Sequence, residues 1–174
     1  MHWTRYILRL QQGIDQFADL TGKVIAPLLG VMLIATFCVV ISRYGFDIGA
    51  VKLQESVLYL HSAVFMLGFA YTLKQGGHVR VDIAYQRFGT RGQALVNLFG
   101  TLFFLLPMCG FIFFSSLDYV AFSWRLKEGS AEPGGLPFVY LLKTLIPASA
   151  ALLIVQGVAE LCRNLTVLGG KSDG

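Results

Sequence analysis

The chain has 174 residues, of which 55% are hydrophobic, 13% aromatic and only 14% charged, with a mean hydropathy of +0.64. Soluble domains carry about 25% charged residues, so this composition excludes an ordinary water-soluble domain. The formal charge of +4 is not gathered into the basic patch that nucleic-acid binding requires, and no nucleic-acid partner is expected.

Four apolar runs, at about 24–42, 56–73, 94–122 and 138–161, organise the chain. A hydrocarbon core about 30 Å thick is crossed by about 20 residues rising 1.5 Å each. The runs therefore predict an all-α membrane protein with four transmembrane helices, forming a single domain over 1–170 with a polar tail at 171–174. The connections are too short for a separate soluble domain. The first run starts only at Val24 and ends in Ser42-Arg43-Tyr44 without a small-residue cleavage site, so the first span is expected to be retained. Cys38, Cys109 and Cys162 fall in or beside different runs and read as packing residues, not as a disulfide framework.

Ahead of the first span, Trp3, Ile7, Leu10, Ile14, Phe17 and Thr21 recur at steps of three or four, while Arg5, Arg9, Gln12, Asp15, Gln16 and Asp19 mostly fall elsewhere. This predicts an amphipathic helix at about 3–22 lying along the headgroups, with Trp3 and Tyr6 in the aromatic belt, before the chain turns into the membrane. A helix capping the bundle from the cytosol is the alternative. Within the first span, Pro27 is expected in the opening turn, where its missing N–H costs little, and Ala26 with Gly30 offers a close helix contact. The third run continues with interruptions to Trp124, about 45 Å as one helix, with Pro107 as a natural bend and Trp124 at the interface.

Lysine and arginine set the expected orientation. Arg5, Arg9, Lys23, Lys74, Arg80, Arg87, Arg91, Arg163 and Lys171 lie on the side of the termini; Arg43, Lys52, Arg125, Lys127 and Lys143 lie opposite. That asymmetry places both termini in the cytoplasm.

Charged groups are sparse inside the spans: Glu55 opens the second, Asp118 and Glu160 sit toward helix ends, and Lys143 lies about two turns into the last. Glu55 fits either the positive end of a helix dipole or a partner contact. Lys143 fits either snorkelling to the surface or a buried carboxylate partner. His61 has no depth-matched second histidine for haem, and no His/Cys cluster or phosphate-binding loop occurs. It is expected to be a hydrogen-bonded packing residue. No nucleophile motif appears either, so no catalysis, cofactor or metal is expected.

Two polar stretches stand out. Leu73-Lys74-Gln75-Gly76-Gly77-His78-Val79-Arg80-Val81-Asp82 follows the second span, with paired glycines permitting a sharp exit turn. Glu128-Gly129-Ser130-Ala131-Glu132-Pro133-Gly134-Gly135-Leu136-Pro137 is a turn-rich connection into the last helix. With Gln54-Glu55 and Lys143, these stretches resemble the small membrane subunit, the DctQ-like subunit, of TRAP (tripartite ATP-independent periplasmic) transporters. Gly77-His78-Val79-Arg80-Val81-Asp82 is the most specific part. Many family members carry a tryptophan and two acids before the second span, where Lys52-Leu53-Gln54-Glu55 supplies one acid here.

The resemblance implies a bacterial inner-membrane complex in which a periplasmic substrate-binding protein delivers an organic anion, typically a carboxylate, to a two-subunit membrane part. It implies that a large multispan subunit carries substrate by an elevator-like motion coupled to sodium, while this subunit braces the scaffold among membrane lipids. Glu55, Gly77, His78, Arg80, Asp82, Gly134, Gly135, Pro137 and Lys143 are then the candidate partner or lipid contacts. Rival readings are a stand-alone homodimeric transporter, which would want a mid-span acid, and a respiratory anchor, which would want paired histidines.

Overall fold

A computed structural model describes residues 2–77, 85 and 88–169, with side chains from residue 8 onward. Its four long helices are α1 (His2–Gly45), α2 (Val51–Lys74), α3 (Thr90–Leu126) and α4 (Val139–Leu168). All four are long and apolar enough to cross a membrane, and the described residues contain no strand. Helix is the natural answer to an apolar solvent, because each backbone N–H and C=O is satisfied within its own segment.

The fourth helix is central: α1, α2 and α3 all pack against it, and α1 also runs along α2. Close approach rests on small residues. Ala18, Ala70, Ala94, Ala150 and Ala159 are buried, and a Cβ at Gly157 of α4 would come within 2.8 Å of Leu105 and 3.1 Å of Leu106 on α3. Large apolar side chains such as Leu33, Phe37, Phe104, Phe111 and Phe114 point outward, whereas Ser123, Ser149, Gln156, Glu160 and Asn164 are buried. Large hydrophobics outside and small or polar groups inside is the packing expected where hydrocarbon is the solvent and helices gain nothing by hiding leucine from it.

The entry into the first span differs from expectation. Instead of turning between an interfacial helix and a span, the chain is helical without interruption from His2 to Gly45, about 66 Å at 1.5 Å per residue. Twice the hydrocarbon thickness, α1 runs several turns beyond it. Pro27 therefore sits in a helix interior, where it removes the bond to the Lys23 carbonyl, and not in an opening turn. The close helix contact also moves. Gly30 has nothing within 4 Å of an added Cβ, whereas one at Gly22 would lie 2.6 Å from the Tyr71 ring of α2. Asp15, Ala18, Gly22 and Ile25, spaced three, four and three apart, form the face toward the bundle; Leu10, Phe17 and Leu20 face away. The amphipathic pattern was legible, but Asp15 and Asp19 of its polar side pack on protein while Arg9, Gln12 and Gln16 stay exposed.

In α3 the irregularity expected at Pro107 falls in the turn before it. Residues Thr101–Leu105 form a π-helical turn between Thr90–Gly100 and Leu106–Leu126. A proline ring clashes with the carbonyl four residues back, here that of Phe103, and one extra residue in the preceding turn relieves the clash. At the end of α2, Gly76 takes φ +68° and the Gly77 N–H donates to the Thr72 carbonyl at 2.9 Å, closing the helix as the paired glycines predict.

Candidate functional site

Polar residues gather at both ends of the bundle. At the end holding the α1–α2 and α3–α4 connections, Lys127 caps α3 with a left-handed φ of 49° and the Glu128 N–H donates to the Ser123 carbonyl at 3.1 Å. That reversal swings Glu128 back over the helix. Its Oε2 accepts from Ser123 Oγ and from Lys143 Nζ of α4, both at 2.6 Å. These bonds, with the lysine's first in importance, hold the Glu128 carboxyl below the usual glutamate range. Lys143 combines its two expectations, reaching out of the last span to a carboxylate partner that is about one-third exposed in the connection, and the ammonium also lies 4.1 Å from the Tyr119 ring centre.

The connection then folds over α2. Ser130 N–H donates to the Leu136 carbonyl and Gly135 N–H to the Glu132 carbonyl, each at 3.0 Å, with Gly134 at φ +80°. Into this fold reaches Glu55, whose Oε2 accepts from the Leu136 N–H at 2.5 Å and whose Oε1 accepts from Ser130 Oγ. Glycine is required beneath it, because a Cβ at Gly135 would stand 2.5 Å from the Ser130 side chain and 2.6 Å from Glu55 Oε1. Gly129 lies against Pro137, where a Cβ would make ordinary contact at 3.5 Å. Five of the candidate residues, Glu55, Gly134, Gly135, Pro137 and Lys143, thus meet in one loop clamp joining α2, α3 and α4. Beside it Trp124 Nε1–H donates to Thr144 Oγ1 at 2.8 Å and packs edge-on to Tyr140.

The opposite end, near the termini, holds a second cluster. Arg163 of α4 donates through NH1 to Glu160 at 2.7 Å and through NH2 to both Asp15 oxygens of α1, at 3.2 and 3.0 Å. Gln156, one turn inward and only 1% exposed, donates its amide to Asp15 at 3.0 Å. Lys74 of α2 pairs with Asp19 at 2.5 Å and donates to the Asp15 carbonyl at 3.0 Å. Asn97 of α3 donates to Tyr85 Oη at 2.8 Å and lies 3.5 Å from Asn164 Oδ1. This terminal clamp ties α1, α2 and α4 together, with α3 at its margin.

Sequence reasoning missed the terminal clamp as a cluster. Its signal was the stripe Gln156, Glu160, Arg163 and Asn164 at helical spacing on α4, matched by Asp15 and Asp19 one turn apart on α1. Gly77 ends α2 beside this clamp, while His78, Arg80 and Asp82 lie outside the described residues. His61 corrects its expectation: it is exposed on α2, forms no hydrogen bond among the described residues and stacks on Phe65 with ring centres 6.0 Å apart.

Glu55 and Glu128 in the loop clamp and Asp15, Asp19 and Glu160 in the terminal clamp are engaged by donors from this chain, an arrangement suited to fixing helices in place, whereas the exposed Glu132 takes part through its backbone. No curated protein and no solved structure matches the chain. The family model described as "Tripartite ATP-independent periplasmic transporters, DctQ component" matches residues 32–167, from the middle of α1 to the last turn of α4 and across the whole loop clamp. The chain belongs to this DctQ family of membrane-spanning transporter components.

Proposed function

We propose that this protein is the small scaffold subunit of a TRAP transporter that imports an organic anion, a carboxylate, on a sodium gradient. It braces a large multispan subunit that carries the substrate, and a periplasmic binding protein delivers that substrate. The observation that carries the reading is the family match combined with the two clamps. Helices tied together at both ends move as one body, which suits the stationary part of a transporter. The proposal places the protein in the bacterial inner membrane with the terminal clamp and both termini at the cytoplasmic face, in line with the lysine and arginine asymmetry.

Reconstitution in liposomes tests the role. Sodium-driven uptake of an organic acid is expected only when this chain, the large subunit and the binding protein are all present. Uptake by this chain alone would overturn the scaffold assignment. Alkaline phosphatase fusions test the orientation: activity is expected after Ala131 and none after Leu168, and the reverse pattern would invert the topology.

A further inference from the structure

The outward face of α3 carries one feature that the clamps do not absorb. Phe111, Ser115, Asp118, Phe122 and Arg125, spaced four, three, four and three apart, form an exposed stripe on the side away from α4. Among the described residues Asp118 makes no hydrogen bond or ion pair. Its depth is reckoned from the aromatic belt, taking Tyr140 and its neighbour Trp124 as the interfacial level. Tyr140 and Glu160 are twenty residues apart on α4, about 30 Å, one hydrocarbon thickness. Tyr140 packs 4.7 Å from Trp124, so Trp124 marks the border on α3. Asp118 lies six residues inside that border, about 9 Å. A single methylene cannot carry a carboxylate back to the headgroups as the long stem of lysine can.

An ionisable group at such depth faces protein or water, not lipid. The nearest cation on the central helix, Lys143, is held by Glu128 and by Tyr119 on another side of α3. A second copy of this chain is a poor occupant, because a two-fold contact centred on Asp118 brings acid against acid. We infer that the stripe centred on Asp118 docks a membrane helix of another transporter component, one presenting an arginine or lysine to this carboxylate within the bilayer. The inference rests on the scaffold reading and adds to it the face used and the chemistry of the partner. The flanking phenylalanines supply the apolar contact that excludes lipid and water, and Ser115 permits close approach one turn deeper.

The test is co-expression with the large subunit and the binding protein of the same transporter, followed by purification through a tag on this chain. Asp118→Lys is expected to lower recovery of the large subunit at least about tenfold, equivalent to ~1.4 kcal/mol, with Asp118→Asn intermediate. The membrane level and melting temperature of the chain itself should not change, and Ala131→Lys, on the exposed loop, should recover the subunit normally. A photoreactive residue in place of Phe122, in an otherwise unaltered chain, should crosslink to the large subunit even if Asp118→Lys proves poorly folded. Normal recovery with Asp118→Lys overturns the inference and leaves the scaffold reading intact, as does crosslinking to lipid only or to a second copy. Failure of the unaltered chain to recover any large subunit overturns both.

Discussion

The two clamps solve one problem, holding transmembrane helices in register, by different means. The loop clamp seats Glu55 on a backbone N–H and a hydroxyl of one folded connection, with Gly135 leaving room beneath it, and adds one ion pair, Glu128 to Lys143. The terminal clamp joins rigid helices mainly through side chains, Asp15 and Glu160 to Arg163 and Asp19 to Lys74, with one bond from Lys74 to the Asp15 carbonyl. A backbone seat has one shape. Ion pairs between side chains can rearrange, and so the Glu55 seat should respond to sterics and the terminal clamp to fork geometry and charge, with the Glu128–Lys143 pair as the charge-sensitive part of the loop clamp.

The largest effect is expected where the backbone seat is filled. Gly135→Ala forces Ser130 and Glu55 apart, and overpacking of a fitted site costs about 1–3 kcal/mol. Melting in detergent and proteolysis of the 127–138 connection are the readouts. Gly129→Ala, with its Cβ at ordinary contact distance, is the matched control. Equal melting of the two variants would show that the connection is adaptable and that the contrast between the clamps is false.

A smaller effect is expected at Arg163. Its two terminal nitrogens reach Asp15 and Glu160 on different helices, a bridge that the single ammonium of lysine cannot reproduce. Arg163→Lys should cost roughly 1 kcal/mol, the modest size reflecting a side chain about one-third exposed. Asp15→Asn in the Arg163→Lys background should then add less than it does alone, since the two changes break one contact. Full additivity would mean that the α1–α4 junction does not rest on this bridge.

The same contrast explains what could be read from sequence. Four spans, the glycine exit of α2 and the turn residues of the loop clamp were legible because they are local signals: apolar runs and glycine- and proline-rich turns. Glu55 lies in the second turn of α2, which begins at Val51, so the dipole reading loses its place, and its seat in the folded connection could not be read locally. The terminal clamp was hidden because its residues come from three helices far apart in sequence. Asp15 and Asp19 look like the wet side of an amphipathic helix, and Lys74 and Arg163 like flanking positive charge. Periodicity shows that α1 has two faces, but it does not say that Asp15 and Asp19 turn inward to protein while Gln12 and Gln16 stay exposed. The unbroken helix through Pro27 has the same origin, since contacts of Asp15 and Gly22 with α4 and α2 hold the segment in line.

The smallest effect separates the clamps by pH. Glu128 is held below the usual glutamate range chiefly by the Lys143 ammonium, with the Ser123 hydroxyl second. A carboxyl depressed in the folded state binds protons more weakly there than in the unfolded chain. Its contribution is therefore complete above the ordinary glutamate range and is lost as pH falls through the lower folded value. Melting should be insensitive to Glu128 near neutrality and decline below the ordinary carboxylate range, with α3 and α4 separating at the Glu128–Lys143 contact. Lys143→Met removes the main cause of the depression, so it should flatten that acid limb even while lowering stability at pH 7. A melting profile from pH 7 to pH 3 that declines equally in the unaltered chain and in Lys143→Met would place the acid sensitivity elsewhere, with the carboxylates of the terminal clamp as the next groups to replace one at a time.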